Sequence, residues 1–170
     1  MKTDTPRTIH LEDYRPPDFL IDTVFLDVAL GEEATIVDAR LQVRRNAKAE
    51  HPDAALILDG EYLETLRVAI DGKALDDGAY SLNENTLQIT DLPDSFILET
   101  SVRIHPETNT ALEGLYKSDT IFCTQCEAQG FRRITWYLDR PDVLARFKTC
   151  ITAEKAKYPV LLSNGNCIKN

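Results

Sequence analysis

Val37-Asp38-Ala39-Arg40-Leu41-Gln42-Val43-Arg44 is the stretch that decides the fold class. Every second residue is apolar and each residue between is polar, the period of a β-strand with one face on a core and one in water. Upstream, Val24, Leu26, Val28 and Leu30 alternate in the same way with Thr23, Phe25, Asp27 and Ala29. Downstream, the rhythm returns in Leu66, Val68 and Ile70, in Leu87 and Ile89, and in Phe96, Leu98, Thr100, Val102 and Ile104. Asp59-Gly60, Asp71-Gly72, Asp77-Gly78 and Asn164-Gly165 punctuate these runs. Such pairs reach positive φ readily, as two-residue hairpins require. Asp71-Gly72, between Val68-Ala69-Ile70 and Lys73-Ala74-Leu75, predicts a tight hairpin. Evenly spaced strands without a long helix predict an all-β fold, an antiparallel sandwich or partly open barrel.

One short helical turn is expected near residues 139–147. Asp139 can cap it, Pro141 suits its first turn, and Val143, Leu144 and Phe147 share one apolar face. The segment Phe147-Lys148-Thr149-Cys150-Ile151-Thr152 then returns to strand. Tyr158-Pro159-Val160-Leu161-Leu162-Ser163 reads as a further strand, Asn164-Gly165 as a hairpin turn, and Asn166-Cys167-Ile168-Lys169-Asn170 as a short return. A domain seldom ends straight after a hairpin turn, so the chain reads as a piece of a longer protein. Pro16-Pro17 marks an extended lead-in.

With 170 residues the chain is sized for one domain, which buries roughly 70% of its unfolded surface. Nineteen Lys and Arg stand against 28 Asp and Glu, for a formal charge of −9, and no basic run occurs. Nucleic acid is therefore not an expected partner, because its binding draws on clustered Lys and Arg. No apolar stretch approaches the roughly 20 residues that span a bilayer, so no membrane partner is expected. Met1-Lys2-Thr3-Asp4-Thr5-Pro6 lacks the apolar core of an export signal. Four cysteines in such a chain read as reduced thiols, and the expected location is the cytoplasm.

Several motifs invite a chemical reading and fall short of it. Cys123-x-x-Cys126 has the spacing of a zinc knuckle, but Cys150 and Cys167 do not form the second pair. Cysteines three apart on a strand also point to opposite faces. His105-Pro106-Glu107 upstream of them imitates the zinc-deaminase pattern, yet Phe122 stands where its proline belongs. His10, His51 and His105 belong to no nucleophile set: the latter two precede proline, and no G-x-S-x-G, H-E-x-x-H, P-loop or G-x-G-x-x-G is present. What remains is Thr124-Gln125-Cys126-Glu127-Ala128-Gln129-Gly130-Phe131-Arg132-Arg133, where a short strand gives way to a glycine turn. On an extended backbone Gln125 and Glu127 would share a face and could together accept hydrogen bonds from an ammonium group. The plainer reading is a surface carboxylate in a loop. Arg132 and Arg133 read as supports or surface charges.

Longer stretches carry a resemblance. They are Leu112-Glu113-Gly114-Leu115-Tyr116-Lys117-Ser118, Phe122 through Thr135, Tyr137-Leu138-Asp139-Arg140-Pro141-Asp142-Val143-Leu144-Ala145-Arg146-Phe147, and Lys157-Tyr158-Pro159-Val160-Leu161-Leu162-Ser163-Asn164-Gly165-Asn166. The opening His10-Leu11-Glu12-Asp13-Tyr14-Arg15-Pro16-Pro17 is similar too. Over residues 1–170 the chain resembles the N-terminal domain of the bacterial aminopeptidase N family, zinc metallopeptidases of the gluzincin type. The resemblance implies a saddle-like β-sandwich lying over a catalytic domain that follows it. It implies that Glu127 binds the free α-amine of a peptide substrate and that Gln125 lines the pocket for the first side chain. It also implies that no catalytic residue and no metal ligand lies in this chain, Zn2+ and the H-E-x-x-H motif belonging to the downstream catalytic domain. Preferred substrates would be short peptides with small or basic first residues. Cys167-Ile168-Lys169-Asn170 departs from the family, which continues there through a longer strand. Two rival readings stand beside this one: a stand-alone β-sandwich that binds a partner without catalysis, and a zinc protein using Cys123 and Cys126.

Overall fold

The structure is a computed structural model that describes residue 8, residues 10–51 and residues 53–168. Its main sheet has six strands. They are β1 (Phe19–Ala29), β2 (Thr35–Arg45), β4 (Glu64–Ile70), β5 (Lys73–Ala74), β8 (Ser95–Ile104) and β11 (Arg146–Thr152), in the order β11-β1-β2-β8-β4-β5. A three-stranded sheet joins β3 (Leu56–Asp59), β7 (Thr86–Ile89) and β6 (Tyr80–Leu82), with β7 central. A third, two-stranded unit pairs β9 (Gly114–Ser118) with β10 (Ile121–Gln125). Among the described residues helix is limited to three 3-10 turns, Leu11–Asp13, Pro106–Thr108 and Phe131–Arg133. The chain is an all-β sandwich, rich in antiparallel pairing.

Alternation became burial where it was strongest. Val37, Ala39, Leu41 and Val43 of β2 are buried, while Asp38, Arg40, Gln42 and Arg44 are exposed. They share one core with Val24 and Leu26 of β1, Leu98 and Val102 of β8, and Leu56, Leu58, Leu87 and Ile89 of the smaller sheet. Asp71-Gly72 forms the expected tight hairpin: Ile70 pairs with Lys73, and both turn residues take positive φ, 50° and 81°. The Asp71 side chain also accepts the Ile97 N–H at 2.8 Å, tying the turn to β8.

Two expectations fail. Residues 139–147 hold no helix. A turn closed by Val143 N–H to Arg140 C=O leads directly into β11, which pairs with β1 in parallel. Arg140 and Asp142, instead of lying along a helix, grip each other at 2.8–2.9 Å and hold the lead-in segment. Arg140 donates to the Arg15 carbonyl at 2.8 Å, and the Tyr14 hydroxyl donates to Asp142 at 3.0 Å. The expected hairpin at the far end is also missing. Residues 158–163 form no strand, and Asn164-Gly165 is only a bend. Among the described residues no strand pairs with this segment, and an apolar run without a ladder does not make a strand. Lys169 and Asn170, the end of the expected return strand, lie outside the described residues.

What positions the candidate site is the segment after β10. Ile134, Thr135, Trp136, Tyr137 and Leu138 are all buried. Asp59 and Tyr137 exchange backbone hydrogen bonds at 2.8 and 3.1 Å, joining the segment to β3. On the other side, the Trp136 indole N–H donates to Thr65 Oγ1 at 2.9 Å, and Thr135 and Thr100 share a hydroxyl hydrogen bond at 3.4 Å. The segment therefore stitches the two sheets together.

Candidate functional site: the strand-turn corner at Gln125 and Glu127

β10 ends at Gln125, opposite Gly114 of β9. The chain then turns: Gly130 N–H donates to Cys126 C=O at 2.8 Å, closing a loop with Glu127 inside it. The Glu127–Ala128 peptide bond in that loop is cis. Gly130 is required by contact. A Cβ there would collide with the Gln125 carbonyl oxygen and lie 2.9 Å from the Gly114 nitrogen. Gly114 is constrained in turn, with φ +73°, and a Cβ added there would lie only 2.6 Å from Arg133 Cβ.

Gln125 and Glu127 are both exposed and adjacent, but they do not share a strand face. The strand has already ended at Gln125, so the same-face expectation fails once the turn begins. Instead, Gln125 Nε2 donates to the Glu127 carbonyl oxygen at 3.2 Å. The Glu127 carboxylate has no side-chain partner among the described residues. It is an unspent acceptor.

Arg132 and Arg133, three and four residues beyond Gln129, pair with carboxylates other than Glu127 and act as supports. Arg132 donates to Asp139 through Nε at 3.0 Å, through its backbone N–H at 3.2 Å, and from Nη2 to the Asp139 carbonyl at 3.2 Å. Its Nη1 lies 3.5 Å from Asp59. Arg133 reaches Glu61 at 2.9 Å and Glu113 at 3.5 Å, with its guanidinium 4.9 Å from the Tyr62 ring centroid. Asp59, Glu61, Glu113 and Asp139 were invisible as a group in the sequence, since they come from separate segments. Asp139, expected to cap a helix, serves Arg132 instead.

Burial shapes the electrostatics behind the corner. It pushes the Asp59 carboxyl up against the opposing pull of Arg132. It raises the Cys126 thiol, with Asp139 adding to the effect. The Tyr137 hydroxyl, buried without a hydrogen-bond partner, is pushed up to about 12 by burial and by Asp139. Cys123 lies within β10 opposite Tyr116, and Cys126 just beyond the strand. His105 follows β8 and meets the Glu33 carbonyl at 2.9 Å and Glu107 at 3.3 Å. Among the described residues, no group of three or more His, Cys, Asp or Glu comes together as a metal site. An open cavity lined by Asp22, Gln42, Leu144, Ala145 and Arg146 lies elsewhere and includes no residue of the corner.

Residues 14–170 match the family model described as the Peptidase M1 N-terminal domain. The chain is 49% identical over 166 residues to aminopeptidase N of Caulobacter vibrioides, which covers 98% of this chain and 19% of that protein. It is 48% identical over 164 residues to aminopeptidase N of Escherichia coli, covering 96% of this chain and 18% of that protein. Among solved structures, aminopeptidase A of Legionella pneumophila in complex with aspartic acid superposes with a TM-score of 0.87 at 34% identity, over 94% of this chain and 19% of that one. The chain thus spans about a fifth of the length of the curated relatives it matches.

Proposed function

The chain belongs to the peptidase M1 N-terminal domain family, and from that premise we propose that it anchors the substrate amine in a zinc aminopeptidase. In this reading Glu127 receives the free α-ammonium of a peptide and Gln125 lines the pocket for the first side chain. Zinc and the cutting machinery would be supplied by a catalytic domain outside this sequence, and the 170-residue stretch alone would hydrolyse nothing. Among the described residues no group of His, Cys, Asp or Glu forms a metal site.

One observation carries the proposal: a carboxylate without a partner among the described residues, on a turn closed by Gly130 N–H to the Cys126 carbonyl and by Gln125 on the Glu127 carbonyl. An exopeptidase has to distinguish a terminal ammonium from an internal amide of the same chain. A carboxylate does so because charge-assisted hydrogen bonds are about twice as strong as neutral ones. The contact also sets how far along the peptide the scissile carbonyl falls, so it counts residues. Gln125 supports this, since its amide is committed to the Glu127 carbonyl and helps hold the turn. Glu127 is exposed in this chain, so the water exclusion that strengthens such a bond would come from the bound peptide and the covering catalytic domain.

Replacing Glu127 in the longer enzyme tests the assignment. Glu127→Ala is expected to lower kcat/KM for free-amine peptides about 10- to 100-fold, the worth of one hydrogen bond to a charged group. Glu127→Gln should fall between the two. Unchanged kinetics in both would remove Glu127 from the site.

A further inference from the structure

The Glu127 side chain has no partner of its own among the described residues, so the backbone of residues 126–133 sets the point from which its carboxylate reaches. Arg133, together with Arg132, anchors the far end of that backbone. Its Nη2 lies 2.9 Å from Glu61 Oε2, in the loop after β3, and its Nε lies 3.5 Å from Glu113 Oε2, just before β9. Its Cβ sits against Gly114, the residue opposite Gln125. The Arg133 and Glu61 side chains are only 15% and 20% exposed. Ion pairs so far from water give little net stability against apolar replacements of similar volume. Their consequence is geometric: the guanidinium is held by its ion pair with Glu61, while Nε, buried beside Glu113, makes no hydrogen bond among the described residues.

Resting on the amine-anchor reading, we infer that Arg133 is a positioning residue for Glu127. Its ion pair with Glu61, and its packing against Gly114, set the course of the backbone that carries Glu127, and through it the distance from the substrate ammonium to the bond being cut. Arg133 does not touch substrate.

A double-mutant cycle in the longer enzyme tests this. Arg133→Met is expected to lower kcat/KM for a free-amine peptide about 10- to 100-fold, as for a misplaced binding group. Arg133→Lys, which keeps the charge but not the fork, should recover only part of the loss. In a Glu127→Ala background, Arg133→Met should cost less than about twofold, because there is no carboxylate left to position. Equal losses in both backgrounds would mean a general structural defect and would overturn the inference. If Arg133→Met does not fold, the same cycle with the isosteric Glu61→Gln decides the matter by the same criterion. Should Glu127→Ala itself leave the kinetics unchanged, the amine-anchor reading fails and the inference falls with it. A defective Glu127→Ala with additive Arg133 effects sinks the inference alone.

Discussion

Gly130 shows how closely this corner is determined at the scale of a residue. It lies against the Gln125 carbonyl, the Gly114 nitrogen and the Cys126 Cα, all of them backbone atoms that cannot swing aside. Gly130→Ala is therefore expected to destabilise the 170-residue chain by about 1–3 kcal/mol, the usual cost of overpacking. Denaturant unfolding measures this, and an unchanged midpoint would show that the corner relaxes freely. At this scale the sequence was informative but incomplete. It singled out Gln125, Glu127 and Gly130 through residue type and spacing. It did not show that Gln125 would spend its amide on the Glu127 carbonyl, because that depends on where β10 stops.

The element that carries the corner, the β9–β10 hairpin, is not hydrogen-bonded into either larger sheet as a strand. Side chains dock its other end. Lys117 on β9 and Tyr158 beyond β11 both donate to Glu32, at 3.1 and 2.9 Å, and the Phe122 and Tyr158 rings lie 5.2 Å apart. The Tyr158 hydrogen bond and then Lys117 hold the Glu32 carboxyl below its usual range. A carboxyl lowered on folding contributes stability above its unfolded pKa and loses it as pH falls through the lowered folded value. Acidification through and below the usual carboxylate range is thus expected to release Tyr158 from the hairpin, and Glu32→Gln to weaken the same contact at neutral pH. The Tyr158 ring resonances report it, and their indifference to both changes would refute the clamp. Element identity was legible wherever alternation was long, as in β2 and β8. It failed at residues 139–147, where a turn held by Arg140 and Asp142 took the place of the helix and the parallel ladder to β1 began at Arg146. It failed again at residues 158–163, where an apolar run found a tyrosine clamp and no strand partner.

For the molecule as a whole, the buried segment from Ile134 to Leu138 couples the corner to both sheets. Trp136 is the single tryptophan of the chain and is 2% exposed. Its fluorescence should therefore report the seam between the sheets. If the seam makes them one cooperative unit, Trp136 emission and far-ultraviolet circular dichroism will give coincident unfolding transitions. Leu58→Ala, a fully buried truncation in the smaller sheet, should move both transitions together, by about 2–5 kcal/mol. Separate transitions would mean that the smaller sheet unfolds independently.

The sequence by itself determined the fold class and the hairpin at Asp71-Gly72. Both follow from short-range physics: a period of two buries one face of a strand, and Asp-Gly adopts the positive φ of a tight turn. It also pointed to Glu127, by residue type, spacing and resemblance. Only the tertiary structure decided that β11 lies parallel to β1, that Arg132 and Arg133 reach Asp59, Glu61, Glu113 and Asp139, and that Glu127 is left without a partner among the described residues. Those outcomes depend on which segments meet across long loops, a matter of packing the whole core that no local pattern encodes.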